Sequence, residues 1–413
     1  MNNERNYKPL LYSAGLGSIL GSGIIVGLST TITVWQKGLS LTNSQVGLIS
    51  GTLTFAIAAG SLLAGKISKS LGLIKSFNVL SIIFTLGTLL CMAAQNFAML
   101  IAGSVIAGFI SGADLPIALS VLSHDAPDDK TSAELVSGTQ VYWTIGILIA
   151  TLASFATSTL SGALSGRIVM GMLSIIGLLT FALRNGNKEL KALHAYGDSK
   201  TKQAETKKES IAKLLFGQES KKYLGFFISI LVFYCGWNLL ANTFGQFQTF
   251  MLVKAHASQT FATGAGILLT IVCLVVAAIF SKMAGGKNRN VAFVIGIIIM
   301  IAALVGLSAS KSNLFLIVAW IALQNVGSTF AGEAMYKVWT QESFPDSARA
   351  GVQGFINGFS RLCCAAFALI TPVLVLPENI RTTMLGFAGL IFVAGLFGLN
   401  QIRLQKKYHI GKN

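Results

Sequence analysis

Four ionisable side chains stand well inside long apolar stretches of the chain: Asp114, Glu333, Lys337 and Arg361. A charge at the centre of a bilayer costs about 2.5–3.5 kcal/mol on insertion scales, so such groups face protein or water and take partners. Their chemistry would be proton transfer and ion recognition. Glu333 and Lys337 are spaced i, i+4 and share a helix face, so they can pair. Alternatively the Glu333 carboxylate takes a proton, frees Lys337 and moves a gate. Asp114 has no base within four residues, and Arg361 is one candidate partner from another stretch. Desolvation disfavours the charged form of an unpaired carboxylate, so such an acid can load a proton on one side and release it on the other. Asp114 and Glu333 are therefore the candidate proton-coupling acids. Arg361 stays charged; it is either a permanent counter-ion for one of them or a bidentate clamp on a solute carboxylate.

Amides form a second set. Asn238, Asn242 and Gln246 recur every four residues beside Trp237, and Gln353, Asn357 and Arg361 do the same further on. Gln324 and Asn325 precede Glu333, and Gln140 and Trp143 lie in an earlier stretch. Amides both donate and accept, and an aromatic can stack on a sugar ring, so this set suits a hydroxyl-rich solute. The competing reading is that the amides stitch helices together, at about 1–2 kcal/mol per bond in model peptides.

The elements that must position these groups follow from composition. Of 413 residues, 53% are hydrophobic and 11% charged, with a mean hydropathy of +0.69. A soluble chain carries about a quarter charged residues, so a soluble enzyme is excluded, as is a disordered or disulfide-rich one. A helix crosses a bilayer in about 20 residues. Such stretches occur at 10–36, 43–65, 75–95, 97–122, 132–157 and 163–183, then at 223–253, 260–281, 290–309, 313–341, 350–376 and 380–402. Continuous apolar runs exclude a β-barrel. The expectation is an all-α membrane protein with twelve transmembrane helices: a six-helix bundle over 1–183, a solvated linker over 184–222, partly helical along 205–216, and a second six-helix bundle over 223–413.

The net charge of +16 would suggest nucleic acid in a soluble chain, but here the bases lie between spans. With both termini cytoplasmic, 24 Lys/Arg fall on the cytoplasmic side and 5 outside, which obeys the positive-inside rule. Ten of these bases are in the linker, from Arg184 to Lys222. No cleavable leader pattern precedes the first span, which places the chain in the plasma (inner) membrane. The five cysteines lie in apolar runs and the four histidines are scattered. Neither set shows metal-ligand spacing, and no phosphate-binding loop is present, so no cofactor is expected. His124 is the one histidine placed to titrate at a gate.

The fourth span ends Ser123-His124-Asp125-Ala126-Pro127-Asp128-Asp129-Lys130 and the tenth ends Gln341-Glu342-Ser343-Phe344-Pro345-Asp346-Ser347-Ala348-Arg349. Each has an acid, a proline shortly after and a base beyond, which points to two parallel repeats. On these residues the chain resembles the major facilitator superfamily, most nearly its sugar porter and metabolite–proton symporter branch. Glu342-Ser343-Phe344-Pro345 through Arg349 matches that branch's Glu-x-Phe-Pro-x-x-x-Arg, and Gly112-Ala113-Asp114-Leu115-Pro116 is similar to its carriers of sugars, polyols or small organic acids. The resemblance implies gate roles for Glu342 and Arg349 beside Lys337. It departs from the family after the second span, where Lys69 and Leu73 replace the usual Asp and Arg, and the matching loop Ser281–Arg289 also lacks the Asp. The family charge lock is thus left without its usual residues, and the Pro-Glu-Ser/Thr motif is absent after spans six and twelve.

The function expected is a monomeric secondary transporter, not an enzyme, that takes up a sugar, polyol or inositol-like solute with protons by alternating access. The alternative is a carrier of a small organic or sugar acid held by Arg361 or Lys337. A drug exporter would want an apolar cavity in place of amide stripes, and a sensor would want an output domain larger than a linker of 39 residues. The partners are a small molecule, protons and the lipid bilayer, with no nucleic acid.

Overall fold

The computed structural model describes residues 6–201, 214–215, 217, 220–283, 288–310 and 313–410. Among them there are helices and turns and no strand. Seven helices belong to a first compact unit, Met1–Glu205: α1 (Lys8–Gly38), α2 (Asn43–Leu71), α3 (Leu73–Met92), α4 (Phe97–Asp125), α5 (Asp129–Ala156), α6 (Leu164–Gly186) and α7 (Lys188–Thr201). Eight belong to a second, Thr206–Asn413: α8 (Ser220–Lys254), α9 (Gln259–Met283), α10 (Arg289–Ala309), α11 (Leu314–Phe330), α12 (Glu333–Ser343), α13 (Asp346–Ala368), α14 (Thr371–Leu374) and α15 (Ile380–Lys407).

Among the described residues, eleven stretches are long and apolar enough to cross a bilayer. The twelfth expected span, 350–376, is built from α13 and α14, and its polar stripe of Gln353, Asn357 and Arg361 keeps hydropathy from marking it. Helix starts follow the chemistry of the preceding residue. Thr42 and Gln45 form a capping box, and Asn96, Asp128 and Asn313 accept from the backbone N–H three residues on, each satisfying an orphan donor. Large aliphatic and aromatic side chains such as Leu86, Val141, Ile175 and Phe315 stand exposed, as lipid-facing positions require. Packing between helices instead relies on small residues. In the first unit α2 and α4 meet backbone to backbone: a Cβ on Gly60 would overlap the Phe109 carbonyl, and one on Gly112 the Ile57 carbonyl.

The tenth span is broken. Helix α11 ends at Phe330, Ala331 and Gly332 leave the helix, and α12 restarts at Glu333 with Gly332 as its N-cap. The break puts the Glu333 carboxylate in a helix first turn, where the backbone dipole favours negative charge.

The stretch read as a solvated linker contains a docked helix. Helix α7 buries Leu190, Leu193 and His194. His194 Nδ1 donates to Asp125 Oδ2 at 2.5 Å and His124 Nδ1 to Asp125 Oδ1 at 2.6 Å, while Asp125 itself is fully buried. His124 also faces Asp198 of α7, Nε2 to Oδ1, at 3.5 Å. The apolar i, i+3 pair Leu190 and Leu193 and the single Asp125 carboxylate are enough to hold α7 against the end of α4. The helix expected along 205–216 falls almost wholly outside the described residues.

Removing one partner of a buried hydrogen-bonded charge costs about 1–3 kcal/mol. His194→Ala should therefore raise amide hydrogen exchange across 188–201 by tenfold or more, with exchange in α2 and α3 unchanged. Unchanged protection in α7 would show that Asp125 does not hold it.

Candidate functional site

Asp114 lies in α4 and is 7% exposed. Its partner is Arg184, at the end of α6: Arg184 Nη1 donates to Oδ1 at 2.6 Å and Nη2 to Oδ2 at 3.0 Å. The base comes from another helix, as expected, but it is Arg184 in place of the candidate Arg361. The pairing also removes Arg184 from the linker, because its side chain is fully buried inside the first unit. The guanidinium is otherwise satisfied by backbone. Nη1 donates to the Phe77 carbonyl at 2.6 Å and Nε to the Ser13 carbonyl at 3.2 Å, and the cation sits 3.8 Å from the centroid of the Phe77 ring. One side chain of α6 thereby binds α1, α3 and α4. Room for it comes from Gly17 of α1, where a Cβ would overlap both Asp114 Oδ2 and Arg184 Nη2.

Elsewhere in the first unit, Trp143 packs against α1 beside Gly21, and Tyr142 pairs with half-exposed Tyr12 at 6.5 Å between ring centroids. Gln140 is exposed on the same helix, α5.

In the second unit the break in the tenth span organises the candidate groups. Lys337 Nζ and Glu333 Oε1 pair at 2.8 Å, and their side chains are 44% and 50% exposed. Charges so exposed on a membrane segment require water, so this face of the unit is aqueous. Tyr234 stacks on Tyr336 at 3.9 Å and on Trp237 at 5.7 Å, making an aromatic floor next to the break. Trp237 Nε1 donates to Ser328 Oγ at 2.8 Å, and the Tyr336 hydroxyl donates to the Gln353 carbonyl at 2.7 Å. Tyr234 lies within electrostatic reach of both Glu333 and Arg361, so the floor joins these two charges.

The amides divide. Asn238 Nδ2 donates to Ser360 Oγ at 2.9 Å, stitching α8 to α13, and Gln246 Nε2 donates to Asn242 Oδ1 at 2.8 Å. Gln324 is 2% exposed. Its Oε1 and Asn357 Oδ1 are buried without a hydrogen-bond partner among the described residues. Asn325 and Gln353 are half-buried. Arg361 is half-buried and has no ion pair or hydrogen bond among the described residues.

At the end of the broken span, Glu342 does not wait for Arg349, whose side chain lies outside the described residues. It receives Arg289 bidentately at 2.7 and 2.9 Å and Gln405 Nε2 at 3.1 Å. The second unit therefore has a charge lock even though its loop lacks the family Asp. Sequence reasoning counted Arg184 and Arg289 only among the cytoplasmic bases and passed over Tyr336. For Arg184 a signal was present: an intramembrane acid without a near base demands one from a neighbouring span's end.

The model of the Major Facilitator Superfamily matches residues 11–368. The chain belongs to the Major Facilitator Superfamily. It is a multi-pass membrane transporter of the plasma membrane and not an enzyme. Over 405 residues it is 26% identical to a minor myo-inositol transporter of Bacillus subtilis (strain 168), covering 96% of this chain and 91% of that one. It is 24% identical to a glucose transporter of Staphylococcus epidermidis (strain ATCC 12228 / FDA PCI 1200), covering 94% and 93%. The crystal structure of a D-xylose–proton symporter superposes with a TM-score of 0.80 at 14% identity, covering 95% of this chain and 97% of that one.

Leaving one member of a buried pair uncompensated costs about 3–5 kcal/mol. Arg184→Gln should lower the Tm of the detergent-solubilised protein by several degrees, and Gly17→Ala should do so by displacing the pair. The double variant Asp114→Asn/Arg184→Gln should recover part of the loss. Additive losses would show that the two side chains do not act as a pair.

Proposed function

We propose that the chain takes up a small polyhydroxylated solute of the sugar, polyol or inositol kind, coupled to protons, by alternating access. The observation that carries the reading is the break in the tenth span. A helix restart and an exposed carboxylate–ammonium pair lie there, backed by the buried Tyr234–Tyr336–Trp237 cluster. Transporters place substrate where a membrane helix is interrupted, because freed backbone groups and first-turn N–H groups are then available at mid-membrane. Aromatic faces receive the apolar face of a sugar ring, and amides or hydroxyls hold its rim. Asn242, Gln324, Asn325, Gln353 and Asn357 are the second unit's candidates for that rim. The relatives named for myo-inositol and glucose support the same solute class.

Proton coupling is assigned to Asp114, with Glu333 as the second acid. A proton on Asp114 neutralises the carboxylate and removes its charge attraction for Arg184, which keeps its bonds to the Ser13 and Phe77 carbonyls and at most a neutral hydrogen bond to Asp114. Weakening of the α4 attachment loosens the tie among α1, α3, α4 and α6. Deprotonation restores it. Proton occupancy thus selects between a tied and a loosened first unit, and a ligand or proton shifts a conformational equilibrium only through such a difference between states.

In proteoliposomes, labelled myo-inositol or glucose should accumulate under an inward proton gradient. Asp114→Asn should abolish accumulation while solute exchange continues at a rate within a few-fold of wild type. Accumulation by Asp114→Asn equal to wild type would remove Asp114 from the coupling step.

A further inference from the structure

Among the described residues, charge bookkeeping within the spans leaves Arg361 without an acid. Asp114 is taken by Arg184, Glu333 by Lys337, and Glu342 by Arg289. The two other acids of the described second unit, Asp346 and Glu378, stand at the start of α13 and in the loop before α15. Asp346 is fifteen residues from Arg361 along α13, or about 22 Å at the rise of a helix. Arg361 has no ion pair or hydrogen bond among the described residues, yet a guanidinium does not shed its proton. An ionised base inside a span calls for an anion.

We propose that the anion is supplied by the solute: Arg361 binds a carboxylate, so that among polyhydroxylated solutes the preferred one is an acid of the aldonate or uronate kind. The proposal rests on the reading of the chain as a carrier of polyhydroxylated solutes and narrows that class. Arg361 occupies the right place for it. It extends the stripe begun by Gln353 and Asn357 on α13, and it shares the electrostatic surroundings of Tyr234 with Glu333. Asn357, one turn before it, offers a carbonyl oxygen that is buried and unpartnered among the described residues, an acceptor for a solute hydroxyl. A fixed fork for a carboxylate and a nearby acceptor for a hydroxyl together match a sugar acid more closely than a neutral sugar. A neutral solute would leave the guanidinium without an anion in the arrangement described. Glu333 is held at 2.8 Å by Lys337.

The test is a thermal-shift and isothermal binding panel on the purified full-length protein, with gluconate and glucuronate set against glucose and myo-inositol at constant ionic strength. The expected result is binding of at least one acid ten- to a hundredfold tighter than its neutral counterpart. Arg361→Gln should erase that preference and leave the weak binding of the neutral compounds unchanged. Arg361→Lys, which keeps the charge but loses the fork, should retain part of the preference and reports on folding of the site. Equal or tighter binding of the neutral compounds by wild type overturns the carboxylate assignment while the broader reading survives. An Arg361→Gln protein that keeps the acid preference overturns the role of Arg361. Failure of both acids and neutral compounds to bind overturns this assignment together with the solute class on which it rests.

Discussion

The first unit depends on one guanidinium. Arg184 is buried without exposure, and a buried charge is tolerable only when its donors and its field are both answered. The carboxylate of Asp114 answers the field bidentately. The carbonyls of Ser13 and Phe77 take the remaining directions, and the Phe77 ring supplies a negative face. Each partner comes from a different helix. Apolar packing in a bilayer cannot choose among helix neighbours by expelling water, since lipid tails are as apolar as leucine. A polar junction with fixed geometry can. The absence of a side chain at Gly17 is part of the same junction, because α1 must approach closely enough for the Ser13 carbonyl to be reached.

The two units handle the end of their fourth and tenth spans with different chemistry. Glu342 is met by the fork of Arg289 and by Gln405; Asp125 is met by two imidazoles, one of them on a helix outside the span set. Both arrangements satisfy an acid at a helix end from a distant element, Asp125 fully buried and Glu342 partly so. An arginine fork fixes two oxygens at once from one side chain. Two histidines each fix one oxygen, so the Asp125 junction needs α7 in place to be complete. The linker-side end of the first unit is therefore held by a segment that belongs to no span.

Much of this was legible in the residues. Long apolar runs gave the spans to within a few positions, since backbone groups in lipid leave helices as the economical solution. The pairing of Glu333 with Lys337 was legible from their i, i+4 spacing. The partner of Asp114 was not. A hydropathy window closes the sixth span at 183 and assigns the next residue to the loop, but an arginine side chain is long enough to bring its charge back by more than a helical turn. The break at Ala331–Gly332 was hidden for a similar reason: the apolar average continues through it, and neither residue is unusual in a membrane helix. Helix α7 was read as solvated because its lysines dominate its composition, whereas Leu190, Leu193 and His194 alone decide that it docks. In each case a local average concealed a single long-range contact.

The contrast between the units bears on how such a chain can work. Alternating access needs parts that move as bodies and parts that yield. Arg184 makes α1, α3, α4 and α6 a body, because displacing any one of them breaks a bond to a buried cation, and the loss cannot be recovered from lipid. The second unit has no equivalent junction among its described residues at mid-membrane. There Glu333 and Lys337 pair along a single chain segment, which ties no helix to another, and the tenth span is already interrupted beside them. The second unit's ion pair between helices, Arg289 with Glu342, lies at the end of the broken span and not beside the break. An ion pair between helices locks them, whereas an ion pair within one helix leaves its neighbours free.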